Sequence, residues 1–102
     1  MPQEGSDTQV LEKDEVEIQE PKMYNVILIN DDYTPMDFVV YVLMEIFHKN
    51  SEDAWSVTMD VHKKGKGIAG TYVQDVAETK SMMANKLANA NSFPLETEVE
   101  EV

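Results

Sequence analysis

The sequence predicts an α+β domain: a small antiparallel three-stranded sheet packed against three helices, in the order β-α-α-β-α-β. Three observations carry this prediction. Runs rich in β-branched and aromatic residues stand at 23–29 and 67–73, the mark of strands. Apolar residues recur at helical spacing in the stretches that follow each of them. The 102 residues include no cysteine, so packing alone must hold the core, and the length suits one domain.

The elements follow in chain order. Residues 23–29, MYNVILI, lack clean alternation, as expected of a central strand covered on both sides. Thr34-Pro35-Met36-Asp37 combines an N-cap residue, proline at the first helical position and an acid at the third, which starts a helix. Met36, Val39, Val40, Leu43, Ile46 and Phe47 then form one apolar face, ending near Lys49. Ser51 is expected to cap a second helix carrying Ala54, Trp55, Thr58, Met59, Val61 and His62, closed by Lys63-Lys64-Gly65. The two helices make a hairpin. Residues 67–73 form a strand, Asp75 with Glu78 caps a third helix running to about Asn89, and Pro94 opens the last strand. There Leu95, Thr97 and Val99 alternate with glutamates, the pattern of a half-exposed strand.

Charge limits the partners. Eight Lys and Arg against twenty Asp and Glu give a formal net charge of −12, which opposes phosphate neutralisation and excludes nucleic acid. Much of that charge lies in residues 1–22, read as a disordered acidic extension because so polar a segment cannot offset its ordering entropy. The folded domain is placed at 23–102. No stretch approaches the roughly 20 apolar residues of a membrane span, and the N-terminus lacks the order of a signal peptide. A cytoplasmic monomer without membrane contact is expected.

The chemistry concentrates where the first strand ends. Asn30-Asp31-Asp32 suits a turn, because these side chains hydrogen-bond nearby backbone, and an acid before a helix start also favours the helix dipole. Met36 and Val39, one turn into the helix, set an apolar wall beside those acids. Such a pairing fits a ligand with a cation at one end and a hydrophobe at the other. His62, at a helix end, is read as a solvated cap stabilised by the helix dipole, and His48 as solvated too. No HExxH motif, Gly-rich phosphate loop or GxSxG elbow is present. The spacing of Asn30, Asp31, Asp32 and His62 matches no metal loop. Neither metal nor cofactor nor enzymatic activity is expected.

The stretch from Tyr24 to Val40, containing NDDYTPM, resembles the signature of the ClpS adaptor family. Asp60-Val61-His62-Lys63-Lys64-Gly65, Asp75-Val76-Ala77-Glu78-Thr79-Lys80 and Phe93-Pro94-Leu95 resemble it too, in the same order and spacing. The resemblance implies an adaptor that recognises N-degrons, proteins beginning with Phe, Tyr, Trp or Leu, and delivers them to the ClpA unfoldase of the ClpAP protease. It further implies that Asn30, Asp31 and His62 hold the substrate α-amino group. By the same resemblance Asp32, Thr34, Met36, Val39, Thr58, Val61 and Leu95 line the side-chain pocket. Asp75, Glu78, Thr79 and Lys80 fall where family members dock on the ClpA N-terminal domain. Thr58 departs from the family, in which this wall position is often Met. Two other classes stay open: a scaffold resembling the ribosomal stalk C-terminal domain, and a small cation-dependent hydrolase using Asp31, Asp32 and His62.

Overall fold

Strand β1 (Met23–Ile29) is the centre of the sheet, with β2 (Lys66–Val73) and β3 (Glu96–Glu101) antiparallel on either side, in the order β2-β1-β3. The structure is a computed structural model and describes residues 20–102. Most of the expected acidic extension, residues 1–19, lies outside the described residues. Between the strands run α1 (Met36–Glu45), α2 (Ser51–Lys64) and α3 (Gln74–Ala90), so the observed order is β-α-α-β-α-β.

Central placement explains the unbroken apolar run of β1. Val26, Ile27 and Leu28 are all buried, but only Val26 and Leu28 join the main core, since successive side chains of a strand point to opposite faces. Opposite them the register slips between Val26 and Ile27, which pair with Gly70 and Ile68. The extra residue of this bulge is Ala69, fully buried in the core. Helix α3 approaches the sheet closely because its inward stripe is small: Ala77, Ser81, Ala84 and Ala88 recur at helical spacing and are buried. The Ser81 hydroxyl is hydrogen-bonded to that of Thr97 on β3, so its burial strands no polar group.

Several element ends differ from the expected ones. Thr34 is not the N-cap of α1. Pro35 holds that position without a side-chain cap, and the Thr34 hydroxyl is turned to Asp31 instead. The helix also stops at Glu45 rather than near Lys49. His48 takes a left-handed φ of 57°, and the Lys49 N–H turns back to the Leu43 carbonyl at 3.1 Å, ending the helix. The cap of α2 is Asn50, whose side chain accepts from the Asp53 N–H at 2.8 Å, one residue before the expected Ser51. Helix α3 begins at Gln74 after an extended Val73, so Asp75 lies in the first turn rather than at the cap. Pro94 precedes β3 by two residues instead of opening it.

Candidate functional site

Three chain segments meet at one end of the sheet: the loop leaving β1, the first turns of α1 and the last turns of α2. Their junction depends on Gly65. That residue closes α2 with a φ of +93°, its N–H bonded to the Val61 carbonyl, and its own carbonyl accepts from the Asn30 N–H at 2.9 Å. A left-handed cap thus ties the loop after β1 to the helix end that carries His62. Gly67 lets β2 pass beneath α2, since a Cβ there would come within 3.0 Å of a Val61 methyl and 3.2 Å of the Val57 carbonyl oxygen.

Within the loop, Asp31 organises the backbone. Its Oδ1 accepts from the N–H groups of Tyr33 at 2.8 Å and Thr34 at 2.7 Å, and its Oδ2 accepts from the Thr34 hydroxyl at 2.7 Å. Partial burial by itself raises the Asp31 pKa. The hydrogen bonds from the Thr34 hydroxyl and from the Thr34 and Tyr33 N–H groups outweigh it, leaving the pKa below the ordinary carboxylate value. An ionised carboxylate has about four lone-pair sites, so three donors leave one acceptor position open.

This arrangement encloses a cavity of ≈ 230 Å³ lined by Asn30, Asp31, Asp32, Thr34, Met36, Val39, Thr58, Val61 and His62. It is smaller than the roughly 300–1,000 Å³ clefts that hold drug-sized ligands, and on the scale of a single residue. One rim is polar, with two carboxylates, a carboxamide and an imidazole, while Met36, Val39 and Val61 supply apolar wall. Thr58 is 1% exposed, and its hydroxyl donates to the Ala54 carbonyl at 2.8 Å. Its only donor is therefore satisfied, and an apolar ligand against it strands no polar hydrogen. Met59, the next residue of α2, does not line the cavity.

Nine of the ten residues predicted for the amino-group and side-chain sites therefore share one cavity, and Leu95 does not. Leu95 is buried against the core and opens on a separate cleft with Asn85, Asn89 and Pro94. Asp75, Glu78 and Thr79 are exposed on α3, and Glu78 accepts a 3.3 Å hydrogen bond from Gln74. Lys80 is less free: its Nζ donates to the Ile46 carbonyl at 2.7 Å and stands 5.4 Å from the Tyr72 ring centroid, holding the end of α1 to α3 and β2. The residue reading missed the Gly65 carbonyl and the double use of Thr34 by Asp31. The first has no side-chain signal, whereas the second was legible as Asp followed by Thr at the third position. Among the described residues no group of three His, Cys, Asp or Glu side chains could hold a metal ion, and no helix is long and apolar enough to cross a membrane.

The family model described as ATP-dependent Clp protease adaptor protein ClpS matches residues 19–98. The chain belongs to the ClpS family. Relatives named ATP-dependent Clp protease adapter protein ClpS include that of Acetivibrio thermocellus, 49% identical over 88 residues, covering 86% of this chain and 89% of the relative. That of Bdellovibrio bacteriovorus is 54% identical over 81 residues, covering 79% and 71%. Among solved structures, Agrobacterium tumefaciens ClpS2 bound to L-phenylalaninamide superposes with a TM-score of 0.78 at 37% identity, covering 81% of this chain and all of that one. Membership fixes the class of function as an adaptor for a Clp protease.

Proposed function

We propose that this chain binds proteins whose first residue is Phe, Tyr, Trp or Leu, through their free α-amino group and first side chain, and delivers them to the ClpA unfoldase of ClpAP. The observation that carries the reading is the single-residue cavity with a polar acidic rim and apolar walls. L-phenylalaninamide, the ligand of the Agrobacterium relative, has a free α-amino group, an aromatic side chain and a capped carboxyl, the chemistry of a first residue in a chain.

In this reading the α-ammonium group, with a pKa of about 7.7–8.0, presents three donors to Asn30, Asp31 and His62. Asp31 supplies the remaining acceptor of its carboxylate together with the counter-charge. The Asn30 carboxamide oxygen and a neutral His62 imidazole supply the others. The first side chain enters between Met36, Val39, Thr58 and Val61, with Asp32 and Thr34 at the rim. Burying a large apolar side chain contributes roughly 1.5–3 kcal/mol and each charge-assisted hydrogen bond about 1.5–3. After association costs, a Kd near micromolar or somewhat tighter follows, weak enough for release to the unfoldase. Asp75, Glu78, Thr79 and Lys80 on α3 form the docking side, and none of them lines the cavity. The chain catalyses nothing; it presents a ligand.

Peptides that differ only at residue one test the specificity, and the ClpAP degradation rate of a Phe-initiated substrate with and without this protein tests the delivery. Preference for Phe, Tyr, Trp and Leu over Ser and Gly with accelerated degradation is expected. Equal affinity for all first residues would refute the pocket assignment.

A further inference from the structure

Strand β3 borders β1 on one side, and among the described residues no strand pairs with its outer edge. Beside it α3 leaves a cleft of ≈ 400 Å³, lined by Asn85 and Asn89 of the helix and by Glu96 and Thr97 of the strand. No β1 residue lines this cleft, so it opens on the side of β3 that faces away from β1. None of its residues lines the cavity after β1. We propose that this edge docks a partner protein, which adds to the sheet an extended segment carrying Lys or Arg at alternate positions.

An edge strand presents a row of backbone N–H and C=O groups to any extended chain laid beside it, and proteins close such an edge with proline, a bulge or charge. Strand β3 lacks the first two: its six residues, ETEVEE, include no proline, and its register with β1 runs unbroken from Glu96 to Glu101. Charge is the remaining guard, and charge selects rather than blocks. Glu96, Glu98 and Glu100 share the face turned from the helices, since Thr97 is hydrogen-bonded to Ser81 and Asn85 of α3 and Val99 packs on the core. All three glutamates are exposed, and none is in an ion pair among the described residues. Alternate residues of an added strand lie opposite them, where cations are attracted and a second copy of β3 is repelled. The residues between turn to the α3 side. There Asn85 accepts from the Thr97 hydroxyl at 3.2 Å, which leaves its NH₂ group to donate, so a short side chain with an oxygen, such as Thr, suits those positions.

The test titrates the full chain by NMR with acetyl-Lys-Thr-Lys-Val-Lys-Thr-amide, with acetyl-Lys-Lys-Lys-Thr-Thr-Val-amide of the same composition, and with the Glu-Thr-Glu-Val-Glu-Thr counterpart of the first. The acetyl cap keeps each peptide from offering an α-amino group, so the result does not depend on the first-residue reading. The alternating basic peptide is expected to bind, shifting β3 amides and the carboxamide signals of Asn85 and Asn89, with the block peptide about fivefold weaker or more and the acidic peptide not bound. Glu98→Lys, at an exposed position outside both clefts, should weaken the alternating basic peptide about tenfold, since one attractive cross-strand pair becomes repulsive, and should admit the acidic one. Glu45→Lys makes the same change of charge on α1 and should leave binding as it was. Equal affinity for the alternating and block peptides, or equal losses in the two variants, traces binding to net charge and overturns the proposal. Absence of binding, or shifts confined to other elements, overturns it as well and leaves the glutamates as a guard against edge-to-edge association.

Discussion

Thr34 donates twice to Asp31, its N–H to Oδ1 and its hydroxyl to Oδ2, both at 2.7 Å. The same carboxylate therefore shapes the loop after β1 and faces the cavity. Truncating Asp31 to Ala would remove the turn along with the counter-charge, so lost binding in that variant could not be assigned to either.

Asp31→Asn separates the two roles. The amide oxygen can still accept from the Tyr33 and Thr34 N–H groups, while the charge disappears. Affinity for a Phe-initiated peptide should fall by about 1.5–3 kcal/mol, a factor of ten or more, with a modest change in melting temperature. Binding equal to that of the parent would show that the ammonium group is held elsewhere.

Acid should weaken the loop by a route that Asp31→Asn abolishes. Because the folded-state pKa of Asp31 lies below its unfolded value, its stabilisation is complete above the ordinary Asp range near 3.9 and is lost as pH falls through the depressed folded value. In urea unfolding between pH 6 and 2.5, the stability gap between parent and Asp31→Asn should shrink only below about pH 4. A gap that stays constant across that range contradicts the assigned hydrogen bonds.

Element types were legible because each rests on a local pattern: β-branched runs for β1 and β2, helical periodicity for α1 to α3, alternation for β3. Their ends were not, since capping is a competition that distant groups can win. Thr34 was a sound N-cap candidate until Asp31 took its hydroxyl, and the end of α1 is settled by His48 and by Lys80 from α3. The cavity residues were legible through family resemblance and through the pairing of acids with Met36 and Val39. Leu95 falls outside that cavity, and its position depends on how the loop after α3 packs, which no periodicity records.

Lys80 has a structural task that its expected docking role conceals. Its ammonium group satisfies the Ile46 carbonyl at the end of α1, where positive charge also favours the helix dipole. Lys80→Met, which keeps the aliphatic stem, should lower unfolding stability by about 1–2 kcal/mol in urea denaturation. Glu78→Lys should leave stability nearly unchanged and weaken unfoldase docking. Full stability in Lys80→Met would show that the tie contributes nothing and leave docking as its role.

Thr58 sets the breadth of the pocket. A threonine wall is shorter than methionine and leaves room for the extra methyl group of a β-branched first residue. This chain should therefore discriminate against Ile relative to Leu less than its Thr58→Met variant does, by about 1 kcal/mol, the scale of one methyl group. The Ala54 carbonyl keeps its helical partner in that variant, so the added bulk is the main change. An identical Leu-to-Ile affinity ratio in the two proteins would mean that Thr58 does not limit the pocket.

The amino group is the centre of the account, and acetylation addresses it alone. A Phe-initiated peptide should bind with near-micromolar affinity at pH 7, weaken as pH rises above the α-amino pKa of about 8, and lose at least about a hundredfold when acetylated, since both the cation and its charge-assisted donors disappear. Titration of the free and acetylated forms of one peptide decides the matter. Strong preference for the free form is the predicted result, and equal binding of the two would contradict the assignment of Asn30, Asp31 and His62.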